Sequence, residues 1–250
     1  MTAKAAYALE VTNLRKSFGG LPVTQDVSLR IRPGERRLII GPNGAGKTTL
    51  FNQISGDFLP NSGRIELFGK DVTQLRPHQR AHCGLSRTYQ IITLFAEDTL
   101  EHNVTLGLLG LRALRWQMWR PLSFYGNLAE EARRILGLVG LEHLADHPVS
   151  EIAYGEKRRV ELAMALAQKP RVLLLDEPLA GLSSTERTTV KSLIASIPSD
   201  TAVIMIEHDM DTALDLAETV TLLNYGRVIV DGDRDDVIAD ERTREVYLGS

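Results

Sequence analysis

Residues 41–48 read GPNGAGKT, and the residues on either side decide what that stretch can be. Before it runs Leu38-Ile39-Ile40, short and apolar, the pattern of a buried parallel strand. After it, Leu50, Phe51 and Ile54 recur at helical spacing. A strand that turns through glycines straight into a helix is the context in which G-x-x-x-x-G-K-[ST] carries chemistry. Gly41, Gly44 and Gly46 let the backbone curl tightly around an anion. The N–H groups at the helix start and the helix dipole favour phosphate oxygens. Lys47 is placed to reach the β- and γ-phosphates, and the Thr48 hydroxyl to ligate Mg2+. Pro42, Asn43, Ala45 and Thr49 complete a nucleotide-binding stretch over residues 41–49.

The flanking patterns say which fold houses this loop. Residues 7–40 alternate short β-rich runs with turns, and RIELFG (64–69) reads as another strand. From about 92 to 155 the periodicity becomes helical, in LEHNVTLGLLGLRAL and then NLAEEARRILGLVGL. Strand and helix patterns then alternate through RVLLLD, TERTTVKSLIASI, TAVIMIE and MDTALDLAE, before VTLLNYGRVIVDG closes as a hairpin around Asn224-Tyr225-Gly226. Such alternation predicts a mostly parallel sheet with helices on its faces.

A second chemical element ends the strand RVLLLD. Its apolar run carries Asp176 to the strand end, where a carboxylate can hold Mg2+ directly or through water. Glu177 follows and points differently, toward an attacking water. Two adjacent acids at a strand end are costly unless a cation or substrate is near. Together the loop and the acid pair predict an α/β P-loop nucleotide hydrolase core. The Asn-Lys-x-Asp base reader of a GTPase is absent from the sequence, as is a recognisable phosphoryl-acceptor site of a small-molecule kinase.

Composition narrows the partners. The net charge of −3 over 250 residues does not suit a general nucleic-acid binder. The single cysteine, Cys83, cannot form an internal disulfide and fits a reducing compartment, where it has a structural role. The N-terminal stretch has no apolar core of a signal peptide, and no apolar run approaches the ~18 residues of a membrane helix. The expectation is a chain that meets a membrane only through a partner.

The order of motifs then becomes informative: the phosphate loop, Gln90 in SRTYQ, the stretch IAYGEKRR (152–159), LLLDEP, and His208 in IEHDM. This order resembles the ATP-binding subunits of ABC transporters over essentially the whole chain. The resemblance implies a core of residues 1–91 and 156–250, with an N-terminal antiparallel β subdomain and an inserted helical subdomain over 92–155. It implies that Phe18 stacks on adenine, that Gln90 touches Mg2+ and water, and that His208 bonds the γ-phosphate. It makes Glu177 the general base and Ala180-Gly181-Leu182-Ser183 the loop that crosses a dimer interface. It also makes Ala153, Tyr154, Gly155 and Glu156 part of a signature that meets the ATP of a second subunit, paired head-to-tail. The family's usual signature is Leu-Ser-Gly-Gly-Gln, so Ala153 stands where a serine hydroxyl is expected, while the backbone donors of the following helix remain. Lys157, Arg158 and Arg159 are expected to add to the positive potential there.

Within the family, FNQISGDFLPNSGRI, LSRTYQ, IEHDMD and VTLLNYGRVI resemble the branched-chain amino acid uptake branch, while REVYLG is also similar to urea-uptake and lipopolysaccharide-export relatives. The resemblance thus implies an ATPase with bound ATP and Mg2+ at the cytoplasmic face of the inner membrane. Its partners would be integral membrane permease subunits and, indirectly, a periplasmic or extracellular solute-binding protein. A lipid-exporting ATPase and a soluble scaffold with the same engine are the alternatives. One stretch lies outside every motif. Residues 111–125, LRALRWQMWRPLSFY, gather Trp116, Trp119 and three arginines, as a membrane-partner docking stripe or as a packed hairpin.

Overall fold

The computed structural model describes residues 7–89, 94–111, 126–207 and 213–248. They form two compact units, one of residues 1–87, 171–180 and 197–250, the other of residues 88–170 and 181–196. Gln90, His208 and most of the stretch 111–125 lie outside the described residues.

The first unit is built on two sheets. Strands β1 (Leu9–Phe18), β2 (Leu21–Ile31), β4 (Ser62–Leu67) and β5 (Lys70–Asp71) form an antiparallel sheet in the order β2-β1-β4-β5. The second sheet has the order β10-β9-β3-β8-β7-β6, from β3 (Arg36–Ile40), β6 (Leu85–Arg87), β7 (Val172–Asp176), β8 (Ala202–Ile206), β9 (Thr219–Asn224) and β10 (Arg227–Asp233). All its pairings are parallel except β9 with β10. Every residue of β7 and β8 is buried. That is why both read as unbroken apolar runs rather than as alternating ones. Tyr225 and Gly226, with φ of 45° and 74°, make the tight turn between β9 and β10. Helix α1 (Lys47–Ser55) buries Leu50, Phe51 and Ile54 in a core shared by both sheets, with Cys83 packed against its edge.

The second unit is helical. Helices α3 (Leu100–Leu109), α4 (Gly126–Leu138) and α5 (Tyr154–Ala167) pack around Val104, Leu108, Leu136, Val160 and Ala163. Helix α6 (Ser184–Ala195) belongs to the same unit. So does α5, most of which falls in the segment 156–250 that the resemblance implies for the core. The short α2 (Pro77–Ala81) and the C-terminal helices α7 (Arg234–Ala239) and α8 (Glu241–Leu248) complete the first unit.

Candidate active site

Sheet order brings the two sequence elements together. Strand β8 lies between β3 and β7, and Ile206 is in register with both Ile39 and Asp176. The loop that leaves β3 and the acids that leave β7 therefore emerge at the same carboxyl end of the sheet, where open α/β folds bind ligands.

The loop is held from behind. A Cβ on Gly46 would lie 2.6 Å from the Val23 carbonyl oxygen, and one on Gly41 would lie 2.1 Å from that of Leu223. Neighbouring backbone thus presses on the loop where no side chain fits, and Gly46 also takes a φ of 98°. The Gly226 N–H donates to the Ala45 carbonyl at 2.9 Å, so the β9–β10 turn braces the same loop. Burial raises the pKa of Tyr247, on α8, and the nearby Gly41 backbone opposes that shift. No spacing in the sequence marks that contact.

Lys47 opens α1 and is nearly buried, at 6% exposure. Its ammonium donates to the carbonyls of Gly41, at 2.5 Å, and Pro42, at 3.1 Å. Burial lowers its pKa, and the nearby charges of Glu177 and Asp176 oppose that shift. One cation and two carboxylates are thus grouped beside the phosphate loop. Asp176 is fully buried, and its Oδ2 accepts from Arg87 at 2.8 Å. Glu177 sits at φ 49°, a left-handed backbone that is strained for a residue with a side chain. Its N–H donates to the Ile206 carbonyl at 3.0 Å, which fixes that backbone against β8. Glu207, also buried, accepts from the Leu179 N–H at 2.8 Å and ties the following loop to the end of β8.

The donor set suits Mg2+. Among the described residues no group of three or more His, Cys, Asp or Glu forms a metal cage. Mg2+ does not need one beside a nucleotide, because it keeps waters and uses phosphate oxygens with one or two protein ligands. Thr48 in the loop and Asp176 at the strand end are hard oxygen donors of that kind.

Phe18 ends β1 and is 43% exposed, with its ring edge-on to Phe58 at 5.4 Å and the Lys16 ammonium 5.2 Å from its centroid. An exposed ring is able to stack on a flat ligand.

The second unit places the signature at the start of α5. Ala153 is the N-cap, and its N–H donates to the Glu156 carboxylate at 2.8 Å. The Glu186 carboxylate lies against the Gly155 backbone, and its pKa is lowered first by the Ser183 hydroxyl and also by that backbone. A Cβ on Gly155 would lie 2.1 Å from Glu186 Oε1, so the space that glycine leaves is filled by this chain's own carboxylate. The Tyr154 ring lies beside Gly181, whose added Cβ would be 3.2 Å from it. Two of the three cations make contacts within the unit. Arg158 is buried, bonded to Glu161 and to the Tyr89 carbonyl, each at 3.0 Å, and Arg159 donates to the Val139 carbonyl at 3.1 Å. The charge of Arg159 also helps to lower the Glu186 pKa, so it adds positive potential at this helix start.

The comparisons with known proteins place the chain in a family. Residues 24–180 match the ABC transporter family. The chain belongs to that family. This ABC ATPase is 34% identical over 255 residues to the high-affinity branched-chain amino acid transport ATP-binding protein BraF of Pseudomonas aeruginosa, across 96% of this chain and 97% of that protein. It is 32% identical to the corresponding LivG protein of Escherichia coli over the same shares. Among solved structures, an ATP-binding cassette of an ABC transporter in its ADP conformation superposes with a TM-score of 0.87 at 29% identity, covering 98% of this chain and 99% of that one. The chain is thus an ATP-binding, ATP-hydrolysing transporter subunit. No helix among the described residues is long and apolar enough to cross a membrane.

Proposed function

We propose that this ABC ATPase powers import of branched-chain amino acids or related small polar solutes. The names of the relatives in P. aeruginosa and E. coli support that substrate class. The reading of its engine rests on one observation, the grouping of Lys47, Asp176 and Glu177 at one end of the sheet. The proposed assembly is a head-to-tail pair of such subunits on integral membrane permeases at the cytoplasmic face, fed by a solute-binding protein. The inserted helical subdomain over 92–155 carries the signature toward the second subunit.

In this reading Lys47 and the loop amides hold the β- and γ-phosphates, and Phe18 stacks on adenine. Thr48, Asp176 and Gln90 would hold Mg2+, which supplies charge stabilisation at the phosphoryl oxygens. Glu177 accepts the proton of the attacking water, and His208 bonds the γ-phosphate. Ala153, Tyr154, Gly155 and Glu156 meet the nucleotide of the second subunit through backbone donors.

Glu177→Gln tests the engine because it keeps shape and hydrogen bonding but removes the base. In the permease complex, steady-state hydrolysis should fall by about 10²–10⁴ while MgATP binding persists. Near-normal turnover would assign the base elsewhere. The substrate class is tested by uptake of labelled leucine, isoleucine and valine into vesicles carrying the complex. Failure of all three to enter in an ATP-dependent way would remove it.

A further inference from the structure

One buried cation near the acids is not accounted for by these roles. Arg87 ends β6 and is in register with Leu174 of β7. Side chains alternate along a strand, so Arg87, Leu174 and Asp176 share one face of the sheet. On that face the guanidinium binds in two directions. Its Nη2 donates to Asp176 Oδ2 at 2.8 Å. Its Nη1 donates to Asn52 Oδ1 at 2.6 Å, Ser55 Oγ at 2.9 Å and Asp57 Oδ2 at 3.1 Å. Its carbon centre lies 5.7 Å from the centroid of the Phe51 ring. Asn52 and Ser55 belong to the last turn of α1, and Asp57 follows it.

The side chains of Arg87 and Asp176 are 5% and 1% exposed, whereas Asp57 is 29% exposed. Desolvation makes such a buried pair a poor way to gain stability alone, since apolar replacements often do as well. What the pair supplies is geometry. A guanidinium is a rigid planar fork, and one anchored at α1 presents its other arm to Asp176 from a fixed direction. With Oδ2 held, the carboxylate plane is fixed, and so is the direction of Oδ1. The helix whose first turn carries Lys47 and Thr48 is therefore tied, through its last turn, to the acid at the end of β7.

We propose that Arg87 is the positioning residue for the metal-facing carboxylate. It locks Asp176 to the phosphate-loop helix, so the protein's share of the Mg2+ site is formed before MgATP arrives. This inference rests on the reading that Asp176 helps to hold Mg2+. Partners of metal-ligating carboxylates orient them, and losing such a partner typically costs metal affinity.

The test uses the full chain and needs no turnover. Displacement of a fluorescent ATP analogue by ATP is measured in EDTA and then across a Mg2+ titration. For Arg87→Gln, the Mg2+ concentration giving half of the metal-dependent gain in ATP affinity should rise roughly 10- to 100-fold. Affinity in EDTA should stay within about twofold, because Lys47 and the loop amides are untouched. Arg87→Lys, which keeps the charge but not the fork, should lie between. Asp57→Asn keeps the Arg87–Asp176 contact, loosens its anchor, and should shift the midpoint in the same direction by less. It also keeps the test open if Arg87→Gln fails to fold. An unchanged midpoint in both Arg87→Lys and Asp57→Asn would overturn the proposal. So would an EDTA affinity that falls by the same factor as the Mg2+ affinity, since Arg87 would then merely support the loop. If the unaltered chain gained no ATP affinity from Mg2+, the metal reading itself would fail, separately from the role of Arg87.

Discussion

Two helix starts in this chain face phosphate chemistry in the proposed reading, and they are built in opposite ways. Helix α1 begins at Gly46 in a left-handed conformation, with no side-chain cap and no acid in its first turn. The cation that opens it, Lys47, is turned onto the carbonyls of the loop itself. Helix α5 begins at Ala153 with an acid in its first turn, Glu156, bonded to the N-cap amide. A second acid, Glu186 from the start of α6, lies against the Gly155 backbone. Helix dipoles attract anions at both places. At α1 the chain leaves that attraction to a ligand, whereas at α5 it has already met the attraction with carboxylates of its own. In the proposed reading, a phosphate arriving at α5 would exchange with Glu186 rather than simply dock. The difference suits a lone subunit that binds nucleotide at one helix and engages another subunit's nucleotide only when the exchange is favourable.

The largest effect should come from the end that has no substitute. Lys47→Ala removes the cation that this reading places on the phosphates, while the core residues of α1 stay in place. Charged hydrogen bonds are individually worth about 1.5–3 kcal/mol, so losing those of Lys47 should weaken MgATP binding by more than about a hundredfold. Isothermal calorimetry on the isolated chain reads this directly. Tight binding retained by Lys47→Ala would mean that α1 and the loop amides suffice, and the contrast with α5 would shrink.

Why one of these helix starts was legible in the sequence and the other was not follows from distance along the chain. The phosphate loop is local: strand, glycines, lysine and helix lie in succession, and each prediction about them needs only neighbours. Asp176 was legible because an apolar strand carries it to its end. Arg87 lay in plain view in SRTYQ, but its meaning depends on β6 pairing with β7 and on α1 covering that face, and nothing local encodes sheet order. Glu186 was half legible. Ser183-x-x-Glu186 is a capping pattern, and the structure shows it: the Glu186 carboxylate accepts from the Ser183 N–H at 2.9 Å and the Ser183 hydroxyl accepts from the Glu186 N–H at 3.4 Å. That its carboxylate also reaches Gly155 required the packing of α6 in the helical unit. The partners of Arg158 and Arg159 in KRR were not legible for the same reason. Arg158 has Glu161 and the Tyr89 carbonyl to meet, and the charge of a residue type does not say which way it turns.

A smaller effect should follow from emptying α5 of its own acid. In a Glu177→Gln background, which should hold ATP without hydrolysing it, Glu186→Ala removes the competitor for the Gly155 amide. One hydrogen bond no longer has to be exchanged. The ATP concentration for half-maximal dimer formation, read by light scattering, should then drop on the order of threefold to tenfold. The same substitution removes half of the α6 capping box, so the isolated chain should melt somewhat lower. Dimerisation that needs the same ATP, or more, would show that the Glu186 contact does not compete with phosphate.

The smallest effect concerns the missing hydroxyl of the signature, and the chain contains its own controls. Thr99 caps α3 at φ −68° and ψ 159°, and Ser183 caps α6 at φ −64° and ψ 164°. In both, the side-chain oxygen accepts from the amide three residues on, at 3.1 Å and 3.4 Å. Ala153 stands at φ −66° and ψ 159°, exposed, with the backbone of those caps but no oxygen to offer. Glu156 already supplies the return bond of a capping box to the Ala153 N–H. A serine at 153 would complete the box without moving the backbone. Ala153→Ser should therefore stabilise the isolated chain by about 1 kcal/mol, the usual worth of such a cap. For a chain of this length that raises the melting temperature by roughly 2–4 °C. Hydrolysis in the assembled complex should stay within about twofold or rise slightly, because a neutral hydroxyl adds at most one hydrogen bond beside donors already present. A several-fold gain in hydrolysis without a gain in melting temperature would place the serine hydroxyl on the partner's phosphate rather than on the helix cap. The backbone donors of α5 would then be insufficient by themselves.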